Sequence, residues 1–127
     1  MRGMEFGDWY LAIVPILIGL GMLGFWCGAI VTRAVPEINS GEIEIWFHIA
    51  AEVATGVLLV AGGISVLADG AATPSVVLSS LSLGMLVYTL IASPGYYVER
   101  AEVSRVWMFA GIWALTIPAV VFRFVGA

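Results

Sequence analysis

Four long apolar runs shape the hydrophobic pattern of the chain, and short segments rich in charged residues, proline and glycine separate them. Each run is long enough to cross the ~30 Å hydrocarbon core of a bilayer as a helix. The pattern therefore predicts an all-α integral membrane protein, a four-transmembrane-helix up-down-up-down bundle that forms a single transmembrane domain of residues 1–127. The predicted helices cover residues 9–32, 41–67, 74–92 and 103–125.

Composition narrows the class of protein further. Hydrophobic residues make up 61% of the chain and charged residues 11%, whereas a soluble domain carries about 25% charged residues. The formal net charge of −4 argues against nucleic acid as a partner. We therefore expect a multi-pass protein of the cell membrane, with the lipid bilayer as its partner. The first run is longer than the core of a secretory signal and follows Glu5 and Asp8, so we expect its helix to be retained.

The second predicted helix has two different faces. His48, the only histidine, and Glu52 are four residues apart, which places both side chains on one side of a helix. An ionised carboxylate at the centre of a bilayer costs about 2.5–3.5 kcal/mol on insertion scales, so we expect this polar side to face the interior of the bundle. The opposite, aliphatic side is expected to face lipid, and it carries Trp46, Ala50, Val53, Val57, Val60 and Ile64.

The third predicted helix carries a stripe of hydroxyl side chains spaced three, four and seven residues apart. Hydroxyl groups form hydrogen bonds between membrane helices, and the stripe is interpreted either as a packing face or as the lining of a wet cavity. The sequence that follows, Ser-Pro-Gly, predicts that this helix ends at residue 92. The stripe consists of Ser75, Ser79, Ser82, Thr89 and Ser93.

Small residues mark the first predicted helix, which contains Gly21 and the GxxxG pair Gly24 and Gly28. Small residues at this spacing let two helices approach closely. The spacing is typical of packing within the bundle, and the alternative is a dedicated seam for a homodimer. Besides lipid, the partners considered are a second copy of the chain in a homo-oligomer or another membrane protein. At the start of the second helix, Asn39 followed by Glu42 predicts a capping box.

Most of the polar side chains within the predicted helices lie near one end of the bundle. The second helix begins on the side of the membrane where the third ends and the fourth begins, so His48, Glu52 and Arg105 lie toward the same side. We predict that Glu52 pairs with Arg105, because pairing lowers the cost of both charges in hydrocarbon. The alternative is that the long side chain of Arg105 extends to the lipid headgroups. The predicted site consists of His48, Glu52, Tyr88, Thr89, Ser93 and Arg105.

This site has two interpretations. In the first, Glu52 is a protonatable carboxylate that binds a proton, a cation or a small ligand, because ionisable groups inside membranes mark functional sites by default. In the second, the chain is a structural or accessory membrane subunit. A clamp of Glu52 with Arg105 or His48 then only fixes the packing of the helices.

Other kinds of chemistry have little support in the sequence. The chain lacks a glycine-rich phosphate loop, an HExxH motif and a CxxC motif. One histidine and one glutamate make an incomplete metal site, and a single histidine cannot provide bis-histidine haem ligation within one chain. We therefore predict no enzyme activity, no metal and no cofactor. The single cysteine, Cys27, is expected to be a small core residue.

Two segments, residues 47–52 (FHIAAE) and residues 83–96 (LGMLVYTLIASPGY), resemble an uncharacterised family of small prokaryotic membrane proteins with four helices. That family has no assigned function, so the resemblance implies only the architecture and the importance of those positions. The chain is unlike the small multidrug exporters, whose intramembrane glutamate lies in the first helix. It is also unlike the fluoride channels, which use an asparagine and a phenylalanine motif, because its only asparagine is Asn39 in a connection.

Overall fold

The structure, a computed structural model, describes the backbone of residues 4–99 and 103–125 and the side chains of residues 4–94 and 107–125. Every regular element within these residues is a helix. All of them except a short second helix are long and apolar enough to cross a membrane, which confirms the prediction of four long apolar helices. The helices are α1 (Phe6–Val31), α2 (Pro36–Asn39), α3 (Glu44–Asp69), α4 (Thr73–Glu99) and α5 (Val103–Phe124).

The helix boundaries lie within three residues of the predicted ones except at the end of α4, and the connection before α3 contains a helix that was not predicted. Helix α4 does not end at residue 92 but continues through Pro94 to Glu99. A proline removes one backbone donor from a helix, whereas ending the helix in apolar surroundings leaves several backbone groups without partners. The connection before α3 forms the additional helix α2, which begins with Pro36 at a position where no backbone N–H is needed.

The predicted capping box of Asn39 and Glu42 does not form. Asn39 is the last residue of α2, and its Nδ2 donates a hydrogen bond to the carbonyl oxygen of Arg33 at 3.1 Å. The N-cap residue of α3 is Ile43, which makes no side-chain capping bond. Because α2 takes up Asn39 before α3 begins, this side chain stabilises the connection instead of the start of α3.

Glycine residues bring the backbones of α1 and α3 close together. A Cβ atom added to Gly63 would lie 2.5 Å from the carbonyl oxygen of Ala12. One added to Gly19 would lie 2.6 Å from the carbonyl oxygen of Gly56. The contacts run in reverse order along the two helices, so early residues of α1 meet late residues of α3. These glycines set the short distance between the two helices.

The GxxxG pair of α1 faces away from α3. A Cβ atom added to Gly21, Gly24 or Gly28 would meet no described atom within 4 Å. Within the described residues, the expectation that this pair packs inside the bundle is therefore wrong, because α3 docks on the side of α1 that carries Gly19. Cys27 is also exposed on α1 and is not a core residue.

The two faces of α3 follow the prediction in part. On the polar side Glu52 is buried and His48 is half-buried, whereas on the opposite side Val57 is 51% exposed. Val53 and Val60 are half-buried, however, and the side chain of Val60 lies beside Gly19 of α1. The expectation that all three valines face outward is wrong, because α1 covers part of the aliphatic side.

The hydroxyl stripe of α4 faces inward, as predicted, and all its side chains are buried. Ser75 Oγ donates a hydrogen bond to the carbonyl oxygen of Ser65 at 2.9 Å, which ties one end of the stripe to α3. Farther along, a Cβ atom added to Gly62 of α3 would lie 3.1 Å from Ser82 Oγ. This part of the stripe is a packing face between α3 and α4.

Clusters of buried apolar side chains hold the long helices together. One cluster joins α1, α3, α4 and α5 and includes Leu59 and Phe109. A second lies toward the start of α1, where the Tyr10 hydroxyl donates to the carbonyl oxygen of Leu115 at 2.6 Å. A third surrounds Trp26 near the end of α1. This third cluster brings Trp26 beside the buried polar side of α3.

Candidate functional site

Glu52 lies at the centre of the buried polar side of α3, with a relative exposure of 6%. Its Oε2 accepts a hydrogen bond from Nε1 of Trp26 at 2.5 Å, and its Oε1 accepts one from Oγ of Ser93 at 3.2 Å. His48, one helical turn earlier, places its Nε2 atom 3.3 Å from Oε2. The carboxylate of Glu52 therefore connects α1, α3 and α4 at one point.

Trp26 is held so that its N–H reaches Glu52. An indole N–H can only donate a hydrogen bond, so a buried tryptophan needs an acceptor nearby. The Trp26 side chain is 4% exposed and belongs to the cluster that contains Val35 and Ile45. Its ring meets the ring of His48 edge-on, with centroids 5.8 Å apart and an angle of 77° between the planes. Packing thus fixes both ring side chains around the carboxylate.

Sequence reasoning did not predict Trp26 as part of the site. The chain has five tryptophans, and tryptophan is common at both surfaces of a membrane, so its presence in an apolar run does not point to a polar partner. The contact could have been predicted from the number of residues that separate each side chain from the connection between the first two long helices. Trp26 lies shortly before this connection and Glu52 shortly after it, so packing of the two helices brings both residues to one level.

A pair of threonines lies one helical turn beyond the carboxylate. Thr55 and Thr89 are buried, and their Oγ1 atoms are 3.3 Å apart. Each hydroxyl also lies within reach of a carbonyl oxygen of its own helix, at 2.8 Å for Thr55 and 2.9 Å for Thr89. Since a hydroxyl has one hydrogen, only one threonine at a time can donate to the other. The pair is a polar contact between α3 and α4 in which either residue can be the donor.

A groove of about 400 Å³ between α3 and α4 opens on one side of Glu52. It brings together His48, Glu52, Tyr88, Thr89 and Ser93, which the sequence placed in one site. Tyr88 is 65% exposed, whereas the two hydroxyl residues of α4 are buried. The Arg105 side chain lies outside the described residues, so its pairing with Glu52 stays a prediction. The groove is completed by Glu44, Phe47, Ala51 and Ala92.

A cavity of about 340 Å³ lies on another side of Glu52, among α1, α4 and α5. Its described lining is apolar except for Glu52, Thr89 and the indole of Trp26. Glu52 and Thr89 line both the groove and the cavity. A buried carboxylate therefore stands between a polar groove and an apolar cavity.

The ionisable groups that the structure describes at this point are one carboxyl group and one imidazole. Within the described residues, no three histidine, cysteine, aspartate or glutamate side chains come together in a way that could hold a metal ion. A carboxylate beside one imidazole, as in Glu52 and His48, can exchange a proton or pair with a cation.

The family model described as Domain of unknown function (DUF8058) matches residues 8–127. The chain belongs to this family. The match agrees with the resemblance to a family that has no assigned function, and it covers nearly all residues of the four long helices. A search of curated proteins and a search of solved structures found no match. For this DUF8058 member, the geometry around Glu52 is therefore the basis for a functional assignment.

Proposed function

We propose that this DUF8058 member is a small multi-pass protein of the cell membrane. Its four long helices are long and apolar enough to span a bilayer, and many large apolar side chains of α1 and α5 are exposed. Contacts of α3 with α1 and with α4 run in reverse order along the chain, which supports an up-down-up-down bundle. Both ends of such a bundle lie on the same side of the membrane.

Within this bundle, Glu52 is a non-catalytic binding site for a proton, a cation or a small ligand. The observation that supports this role most strongly is that Glu52 is buried and still lines both the groove and the cavity. A carboxylate that only holds helices together has no need of open space on two sides. The open space lets a positive partner reach the carboxylate without separation of the helices.

The side chains around Glu52 are compatible with a carboxylate that binds and releases a positively charged partner. Trp26 and Ser93 each donate a hydrogen bond to one of its oxygens, and hydrogen bonds to a charged group contribute about 1.5–3 kcal/mol each. The negative charge still attracts any cation that reaches it, because the interior has a low dielectric constant. His48, with Nε2 at 3.3 Å from Oε2, lines the groove and can pass a proton between the groove and Glu52.

The alternative function is that of a structural or accessory membrane subunit. The contact that favours it is the hydrogen-bonded set of Trp26, Glu52 and Ser93, which joins three helices and would fix their positions even if nothing bound. The exposed residues Gly24 and Gly28 of α1 would then be available to a second copy of the chain or to another membrane protein.

Infrared difference spectroscopy on the protein in lipid separates the two functions. Acidification of the wild type, or addition of a cation that binds, is expected to change bands of a carboxyl group, and Glu52→Gln is expected to lack these changes. Glu42→Gln is the control, because Glu42 lies on the exposed surface. If Glu52→Gln leaves every band change in place while the protein stays folded, Glu52 does not exchange its partner and the structural alternative is correct.

A further inference from the structure

The cavity beside Glu52 lies between two helices that are tied together at their other ends. The Tyr10 hydroxyl of α1 donates to the carbonyl oxygen of Leu115 in α5 at 2.6 Å, and the Tyr10 ring meets the ring of Phe122 at 5.4 Å. Farther along the same two helices, toward Trp26, the space between them is the cavity of about 340 Å³. This volume falls within the range of roughly 300–1,000 Å³ that is usual for small-molecule sites.

The lining of the cavity is strongly asymmetric. Apolar side chains of α1, α4 and α5 form most of its described wall, and Glu52 and Thr89 contribute a polar end. The aromatic rings of Phe25, Trp26 and Phe109 also line it. Faces of aromatic rings attract cations, and this attraction grows when the cation is removed from water. The cavity thus combines a large apolar body with one negative charge at one end.

We propose that this cavity binds an organic cation with an apolar body, and that the positive group of the ligand pairs with Glu52. The inference rests on the proposed function, in which Glu52 binds a positive partner, and it names the chemical class of that partner. The hydrocarbon part of the ligand contacts Leu17, Met22 and Phe109, and its ammonium group lies at the polar end with Glu52 and Thr89.

Charge complementarity selects this ligand over the other candidates. An anion would be repelled by the carboxylate. A neutral apolar molecule, such as the acyl chain of a lipid, would fill the space and leave the negative charge facing hydrocarbon, which is unfavourable. An apolar cation removes its hydrocarbon surface from water against the apolar wall and places its charge against the carboxylate. The ligand therefore matches both the apolar and the polar part of the cavity.

The test uses adamantan-1-amine and adamantan-1-ol, which share one compact hydrocarbon body and differ in charge at neutral pH. Binding is measured by calorimetry on the full chain in lipid nanodiscs, with empty nanodiscs subtracted. The amine is expected to bind at least about tenfold more tightly than the alcohol. Glu52→Gln should reduce the affinity for the amine to that for the alcohol.

A second pair of variants tests the location without changing Glu52. Gly21 lines the cavity, and a Cβ atom added there meets no described atom within 4 Å, so Gly21→Leu is expected to fill the space without disturbing the helices. This variant should weaken binding of the amine and of the alcohol. Gly84→Leu is the matched control, because Gly84 also has open space around it but does not line the cavity.

Equal binding of the amine and the alcohol to the wild type would overturn the inference. It would show that the cavity binds apolar molecules without regard to their charge. An amine preference that persists in Glu52→Gln, or amine binding unchanged in Gly21→Leu, would also overturn it. None of these results removes the proposed function if the infrared changes of Glu52 are present. Absence of both amine binding and infrared changes would refute the two proposals together.

Discussion

Replacing Gly63 with alanine is expected to lower the free energy of unfolding by about 1–3 kcal/mol or more, because an added methyl group overpacks the contact between α1 and α3. The new Cβ atom would lie 2.5 Å from the carbonyl oxygen of Ala12 and 2.5 Å from Cγ1 of Ile16. A backbone oxygen cannot move aside without displacing α1. Gly19→Ala should act in the same direction, since its Cβ atom would lie 2.6 Å from the carbonyl oxygen of Gly56.

The controls lie on α1 itself. Gly24→Ala and Gly28→Ala add a methyl group where no described atom lies within 4 Å. Alanine is more favourable than glycine in a helix by about 1 kcal/mol, so these variants should be as stable as the wild type or more stable. Unfolding in mixed micelles, followed by tryptophan fluorescence, gives the comparison. Equal losses in all four variants would show that close helix approach is not the reason for the glycines.

The second large effect is expected at Glu52, where alanine and glutamine should behave differently. Glu52→Ala removes the acceptor for the buried donors Trp26 Nε1 and Ser93 Oγ. A buried polar group left without a partner costs about 1–3 kcal/mol, so losing both bonds should destabilise the protein by about 3 kcal/mol or more. Glutamine keeps an oxygen that can accept from Trp26, and its amide can donate to the hydroxyl of Ser93. Glu52→Gln should therefore retain most of the stability.

The same micelle unfolding assay measures both variants, with Glu42→Ala as a control on the exposed connection. If Glu52→Gln is as unstable as Glu52→Ala, the negative charge and not the hydrogen bonding holds the fold. That result would favour the structural clamp and the predicted pair of Glu52 with Arg105.

Much of the architecture could be predicted because it depends on strong, repeated signals. The four long helices follow from apolar runs of membrane-spanning length. The burial of Glu52 and of the α4 hydroxyl stripe follows from helical periodicity, since polar groups avoid lipid. These signals do not depend on which helices become neighbours.

Predictions that required the identity of a neighbouring surface were less successful. Val60 is as apolar as Val57, and lipid tails are as apolar as a packed helix, so the pattern cannot separate a lipid-facing valine from one that packs on α1. Likewise, the spacing of Gly24 and Gly28 indicates that close packing is possible, but Gly19 and Gly63 make the actual contact. Which helix faces contact each other decides whether these valines and glycines are buried, and the sequence pattern does not show this.

The candidate site shows the same limit. His48 and Glu52 are four residues apart on one helix, so their proximity could be predicted. The contact of Glu52 with Trp26 joins different helices and depends on the distance at which α1 packs against α3. The cavity depends on side chains of three further helices, and no local pattern in the sequence encodes it.

Chemical modification by two carbodiimides, reagents that add to carboxyl groups, tests most directly whether Glu52 can be reached from both the groove and the cavity. A membrane-soluble reagent, dicyclohexylcarbodiimide, and a water-soluble carbodiimide are applied to the protein in lipid, and the modified residue is located by mass spectrometry. Both reagents are expected to modify Glu52, and Gly21→Leu should slow only the membrane-soluble one. Modification of the exposed Glu44 by the water-soluble reagent, with Glu52 untouched by either, would show that the carboxylate is sealed between the helices and would contradict a binding role.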